Sequence, residues 1–479
     1  METAFERGNL LFAEGDYQGA EEAFGQCLET DPEDWQAAGN RANARMKLRR
    51  HDQALDDYLY ALNLNPAALG VKVNLAALLK ELGEFPLAEA LLREVLESEP
   101  AHVDAWSNLG MVTHYALRYR EAIDCHLKAI ELAGPSAARL NNLANALTCD
   151  LQLDEAIMAY RAALSLAPED ACARFNLSVA LLMKGQYKEA WPYYESRWEA
   201  ILTRRYRDKP WKGEPLRDKT LLIWSEQGLG DTLQMIRFLP QLRRTHPDAQ
   251  IILACPVSCH RLLRQLDIEL VDVEAPPPPH DAQLPLLSLP GILGIDSCDV
   301  NPAPYLDADP ALVADWRERL GAPPAGRKRI GIVWETGVWG VGIADHGRQN
   351  KSIPLDTFLP LLDMPDTEFV SLQLGELPAA MHGRVVAPEI GDFADTAAIM
   401  AGLDLVISVD TSVVHLAGAL GIPVWVLMRA ESAPFFMARG DRSVWYDSMR
   451  VWRQPRPGDW APVIGAVRQA LHFTADSPD

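Results

Sequence analysis

An alanine recurs every 34 residues through the first two hundred positions: Ala20, Ala54, Ala88, Ala122, Ala156 and Ala190. Other columns keep step with it. Four residues after each alanine stands a bulky side chain: Phe24, Tyr58, Leu92, His126, Tyr160 and Tyr194. Twelve residues before each stands a small one: Gly8, Ala42, Ala76, Gly110, Ala144 and Ser178. Proline follows twelve residues after most of them, at Pro32, Pro66, Pro100 and Pro168, with the fourth repeat slipped by one to Pro135. A fixed period of this length restricts the chain to a stack of like units, each burying its apolar face against its neighbours. The columns specify the unit. Two antiparallel helices approach closely where residues are small, a large side chain fills the next gap, and proline ends the second helix.

The pattern resembles the tetratricopeptide repeat, and it predicts six repeats over residues 1–204. Fourteen residues before the alanines lies a column of amides, Asn40, Asn74, Asn108, Asn142 and Asn176, with Glu6 in the first repeat. Asparagine is a poor helix former, so five in register call for a reason. An amide donates to a carbonyl and accepts from an N–H, which suits the main chain of an extended peptide. The alternative is that these amides bond neighbouring helices inside the stack. The column is similar to the asparagine ladder of protein O-GlcNAc transferases, and that resemblance implies an acceptor polypeptide held by the repeats.

After a linker at 205–218 the pattern changes to buried apolar runs alternating with helical stretches: "TLLIW", "AQIILACP", "RIGIVWE", "EFVSLQL", "DLVISVD" and "IPVWVLM". This alternation predicts parallel α/β sheets. Residues 219–310 form a first half, 311–328 a linker, 329–472 a second half, and 473–479 a tail. The expected fold is therefore a helical superhelix followed by α/β. Two Rossmann-like halves with a cleft between them have the layout of a GT-B glycosyltransferase.

Two blocks carry candidate chemistry. In "SVDTSVVHLAGALGIPVWVL" a strand runs into a helix capped by Thr411 or Ser412 and ended by Gly421. Free N–H groups and the partial positive charge of a helix N-terminus suit a phosphate. Thr411, Ser412 and His415 are placed to reach the anion, and Asp410 to orient the loop or accept from a sugar hydroxyl. A plain capped helix with a buried His415 is the competing reading. In "EQGLGDTLQMIRFLP", Gly228 and Gly230 allow close backbone approach, and Asp231 is either a general base or a helix cap. Both blocks resemble the ADP-heptose:lipopolysaccharide heptosyltransferases. The resemblance implies that Asp231 is the base and that the second block faces the donor nucleotide. Further blocks resemble the tetratricopeptide-linked branch of that superfamily. They imply donor contacts at Trp334 in "GIVWETG", Lys351 in "RQNKSIPL" and Gln373 in "SLQLGE". "TGVWGVGIADHG" departs from the relatives and offers His346 as a second candidate base.

A net charge of −21 argues against a nucleic-acid partner. No run approaches the ~18 apolar residues of a membrane span, so no stable membrane insertion is expected. The acidic start lacks the marks of a secretory signal and predicts a cytoplasmic protein. Seven scattered cysteines, with Cys255 and Cys259 the only close pair, read as buried thiols. The D-x-D at Asp307–Asp309 reads as a loop, so neither a metal nor a cofactor is expected. The expectation is an inverting glycosyltransferase that moves a sugar from a nucleotide-sugar donor to a protein. The joined layout resembles bacterial flagellin glycosyltransferases, implying flagellin as acceptor and a nonulosonic acid such as pseudaminic acid as one donor sugar. A non-catalytic scaffold and a glycolipid transferase are the alternatives.

Overall fold

A computed structural model describes residues 3–337, 351–431, 433–436 and 440–475. They divide into two compact units, residues 3–167 and the chain from Pro168 onward.

The first unit is five helical pairs: α1 (Ala4–Glu14) with α2 (Tyr17–Thr30), α3 (Trp35–Lys47) with α4 (His51–Leu64), α5 (Leu69–Leu82) with α6 (Phe85–Ser98), α7 (Val103–Tyr115) with α8 (Tyr119–Ala133), and α9 (Ala137–Cys149) with α10 (Leu153–Leu166). The periodic columns make the contacts. Ala20, Ala54, Ala88, Ala122 and Ala156 have no exposed surface. A Cβ on Gly8 would lie 2.7 Å from the Phe24 ring, and one on Gly110 would lie 2.5 Å from the His126 ring. The small and bulky columns are thus two sides of one contact.

The turn inside each pair passes through a left-handed residue. Gly15 and Gly83 fill it in the first and third repeats, but Arg49, Leu117 and Leu151 adopt φ of 58°, 62° and 61° in the others. A side chain is strained in that region. Arg49 is exposed, so removing its side chain loses little packing. Arg49→Gly is expected to stabilise the first unit by about 1 kcal/mol, read as a raised urea midpoint at unchanged slope.

The second unit begins with the sixth pair, α11 (Ala171–Lys184) and α12 (Tyr187–Tyr194). Pro192 lies inside α12 and the helix stops two residues later, after eight residues in place of the usual fourteen or so. A four-stranded parallel sheet follows, β1 (Thr220–Trp224), β2 (Gln250–Cys255), β3 (Glu269–Asp272) and β4 (Ala282–Pro285), in the order β3-β2-β1-β4. A six-stranded parallel sheet comes next: β5 (Lys328–Val333), β6 (Thr367–Ser371), β7 (Val385–Val386), β8 (Leu405–Val409), β9 (Val424–Met428) and β10 (Met449–Arg453), in the order β10-β9-β8-β5-β6-β7. The stretch read as a second linker, 311–328, is largely taken up by the Pro310–Leu320 helix, with Asp309 of the D-x-D as its N-cap.

Strand order fixes where a ligand can enter. The chain steps outward from β1 to β2 and β3, then returns to put β4 on the other side of β1. It steps outward from β5 to β6 and β7, then returns to put β8 on the other side of β5. Crevices open at such reversals, beyond the carboxyl ends of the strands. Beyond β1 lies the Gly228–Asp231 turn, and beyond β8 lies the Asp410–Ser412 turn.

Candidate functional site

A cavity of about 460 Å³ lies at these strand ends. Gly228, Leu229, Gly230 and Ser258 line it from the first α/β half, and Lys351, Gln373 and residues 410–413 from the second. Thr411 is the N-cap of the Ser412–Ala419 helix, with extended backbone, yet its hydroxyl does not cap the helix. It lies 3.2 Å from the Ser408 hydroxyl. Among the described residues, the N–H groups of Ser412 and Val413 have no partner. Unsatisfied donors at a helix start, facing a cavity, suit an anion. Lys351 adds a cation there: its Nζ lies 2.6 Å from Asp410 Oδ2. Burial pushes the Asp410 carboxyl up, but the charge and hydrogen bond of Lys351, with Arg429 adding, together hold the group below its ordinary value.

The glycine turn is built by its own carboxylate. Gly228 is the N-cap of the Leu229–Met235 helix, and its N–H donates to Asp231 Oδ2 at 3.0 Å. Asp231 is pushed up to about 6, chiefly by burial, with the negative charge of Asp410 adding; the Gly228 hydrogen bond and Lys351 oppose the shift. A carboxylate at this value takes a proton near neutral pH better than an ordinary aspartate does. Gly230 is glycine for a steric reason: a Cβ there would lie 2.8 Å from the His415 ring and 3.4 Å from Ser412 Cα.

Gly228, Gly230, Lys351, Gln373, Asp410, Thr411 and Ser412 therefore share one cavity, with Asp231 on the same turn as the two glycines. Among the described residues, Asp231, His415 and Trp334 do not line the cavity. His415 is buried beneath Gly230, its Nδ1 lies 3.1 Å from the Tyr446 hydroxyl, and burial pushes it down to about 4, so it is a neutral packing group. Trp334 is 4% exposed and packs on Phe358, lining a separate hollow with Ser352 and Pro354. His346 lies outside the described residues. Gln373 lines the cavity and accepts the Glu335 N–H at 3.3 Å. Sequence reasoning missed the apolar wall formed by Leu372, Leu374, Ile390 and Phe393. The available signal was Leu374 beside Gln373 in "SLQLGE", an apolar residue just past the strand end; in the fold it is 71% exposed.

The asparagine column divides. Asn40 Nδ2 donates to Asn9 Oδ1 at 3.2 Å, and Asn74 Nδ2 donates to Asn43 Oδ1 at 3.0 Å. Both partners lie 31 residues earlier. Here the structure answers to the alternative expectation, bonding between repeats. At the same offset Asn108 and Asn142 meet Ala77 and Met111, which offer no amide. Neither side chain has a hydrogen-bond partner among the described residues. Both are half-buried.

The tetratricopeptide-repeat family model matches residues 5–68, 73–138 and 151–201. The helical pairs are tetratricopeptide repeats. The chain is similar to Protein FlbA of Caulobacter vibrioides, 27% identical over 504 residues that cover 97% of this chain and 83% of that one. It is also 27% identical, over 150 residues, to the human protein O-mannosyl-transferase TMTC1, covering 30% of this chain and 17% of that one. That shared stretch is shorter than the repeat array. Among solved structures, the APC/C hetero-tetramer Cut9–Hcn1 aligns with a TM-score of 0.40 at 21% identity, over 43% of this chain and 41% of that one. No helix among the described residues is long and apolar enough to cross a membrane.

Proposed function

We propose that this chain is an inverting, metal-independent GT-B glycosyltransferase acting on a protein held by its repeats. The observation that carries the proposal is the uncapped start of the Ser412–Ala419 helix, with two unpartnered N–H groups and Lys351 at one cavity wall. Those groups hold the phosphate of a nucleotide sugar and stabilise the charge that builds on it as the glycosidic bond breaks. Leu372, Leu374, Ile390 and Phe393 give the nucleobase an apolar wall. Asp231 takes the proton of the acceptor hydroxyl as its oxygen attacks the anomeric carbon, and the nucleotide leaves from the opposite face. One carboxylate acting as base gives inversion. The acceptor main chain bonds the free amides of Asn108 and Asn142. Flagellin as acceptor and a nonulosonic acid as donor sugar rest on analogy of layout alone. The similarity of 30% of this chain to a protein O-mannosyl-transferase accords with protein glycosylation at a coarse level.

Thermal unfolding with UDP, GDP, ADP, CMP and TDP, each at about 1 mM, tests the site. A nucleotide at ~100 times its dissociation constant stabilises the fold by roughly 2.7 kcal/mol. The matching variant is Ser412→Pro. Position 412 is the first helical residue, where proline is well tolerated, and Thr411 already has the extended backbone that proline requires before it. The variant is expected to fold normally and to lose the nucleotide shift, because one of the two free N–H groups is gone. A full shift in Ser412→Pro, or no shift with any nucleotide, would remove the basis of the proposal.

A further inference from the structure

The sixth repeat departs from the other five at the positions that face the α/β halves. Arg197 occupies the column that holds Cys27, Ala61, Val95, Ala129 and Ala163 in the earlier repeats. It has no exposed surface. Its guanidinium donates to Tyr194 O, Glu195 Oε1, Ser288 Oγ and Glu226 Oε1, at 3.1, 2.8, 2.7 and 3.1 Å. The aromatic column changes partner as well. Tyr58 and Tyr160 donate their hydroxyls to Asn43 and Asn145, fifteen residues earlier. Fifteen residues before Tyr194 stands Val179, which cannot accept. The Tyr194 hydroxyl instead accepts from Gln227 Nε2 at 3.0 Å. Glu226 and Gln227 immediately precede the glycine turn that carries Asp231.

The other end of α12 reaches the segment that packs on the Ser412–Ala419 helix. The Tyr187 hydroxyl accepts from Trp445 Nε1 at 2.9 Å. The next residue, Tyr446, contacts His415 through its hydroxyl and covers Gly418, where a Cβ would lie 2.4 Å from its ring. Both His415 and Gly418 belong to the Ser412–Ala419 helix. Tyr187 and Tyr194 are seven residues apart, two turns along one helix face. One short helix thus holds the turn carrying Asp231 at one end and the anion-binding helix at the other.

We propose that α12 is a bracket: Tyr194 with Arg197, and Tyr187 through Trp445, fix the spacing between the Asp231 turn and the Ser412–Ala419 helix. Tyr187 and Tyr194 are then positioning residues for sugar transfer, a consequence that rests on the transferase reading above. A base misplaced by about 1 Å costs on the order of 10²-fold in rate. The two hydroxyls therefore affect turnover more than donor binding.

The test uses the full chain with Tyr187→Phe and Tyr194→Phe, each of which removes one oxygen and leaves the ring packed. Tyr160→Phe, the same change in the fifth repeat, is the control. Amide hydrogen exchange without substrate judges the bracket. Tyr194→Phe is expected to speed exchange across residues 226–232 at least tenfold, and Tyr187→Phe across 411–418, while Tyr160→Phe leaves both segments unchanged. Exchange within twofold of the parent in both variants overturns the bracket. Kinetics with the donor named by the nucleotide screen judge its catalytic consequence. A kcat reduced about tenfold with donor KM unchanged supports positioning, whereas a raised KM at constant kcat overturns it. Faster exchange together with no nucleotide bound would keep the bracket and reject the transferase, so the two claims fail separately.

Discussion

Asp231→Asn is expected to lower sugar transfer by about 10²–10⁴-fold, the usual contribution of a positioned general base. Nucleotide-induced stabilisation should survive, since the anion donors lie on Ser412, Val413 and Lys351. On the transferase reading, the parent protein should show a rate that rises with pH and levels off above about 6, where Asp231 loses its proton. Stability runs the other way. Asp231 is raised in the folded chain from an ordinary aspartate value, so the folded state binds more protons than the unfolded state as pH rises from about 4 to 6. Its favourable contribution is complete below the ordinary value and is lost as pH passes about 6. Above that pH the parent buries an unfavourable charge that asparagine lacks, while asparagine can still accept from the Gly228 N–H. The variant should therefore melt at a higher temperature than the parent at pH 7.5 and show little difference at pH 4. A non-catalytic scaffold predicts the same melting behaviour with no transfer activity to lose, so turnover of the parent separates the two.

Arg197→Met should be the most destabilising single change in the second unit. The Glu226 side chain is 1% exposed and Arg197 is its cation. Removing one partner of a buried pair typically costs about 3–5 kcal/mol; burial pushes Glu226 up to about 7 even beside Arg197, so without that cation the carboxyl takes up a proton at neutral pH. Arg197 also bonds Glu195 and Ser288 and stacks on the rings of Tyr194 and Trp198, so its loss frees several groups together. Arg197→Met/Glu226→Gln removes both charges and should recover most of the loss. Urea denaturation of the three proteins checks this. A single variant within 1 kcal/mol of the parent would mean that the pair contributes little and that the sixth repeat is held by its other contacts.

Much of this protein was legible in one dimension, for identifiable reasons. The 34-residue columns specified the helical pairs because repeats contact only their neighbours, so each contact recurs at a constant offset. Six of the ten strands stood out as apolar runs because they lie inside parallel sheets and are covered on both faces. The four that did not, β3, β4, β7 and β10, are the outermost strands of the two sheets, and three of them have only two to four residues. Strands this short present no long apolar run to read. The Asp410–Ser412 turn was readable because strand, cap and helix are contiguous in the chain.

Tertiary structure decided what depends on distance across the sequence. Whether an asparagine of the repeats is free or bonded depends on the residue 31 positions earlier: Asn9 and Asn43 engage Asn40 and Asn74, while Ala77 and Met111 leave Asn108 and Asn142 open. His415 matched the donor-facing pattern, yet Gly230 packs over it and burial keeps it neutral. Local pattern places a side chain on a helix face; only the packing of the opposite half decides whether that face meets ligand or protein. Arg197 makes the same point. In sequence it is one arginine in a column of small residues, and the fold makes it the buried partner of Glu226, beside the turn that carries Asp231.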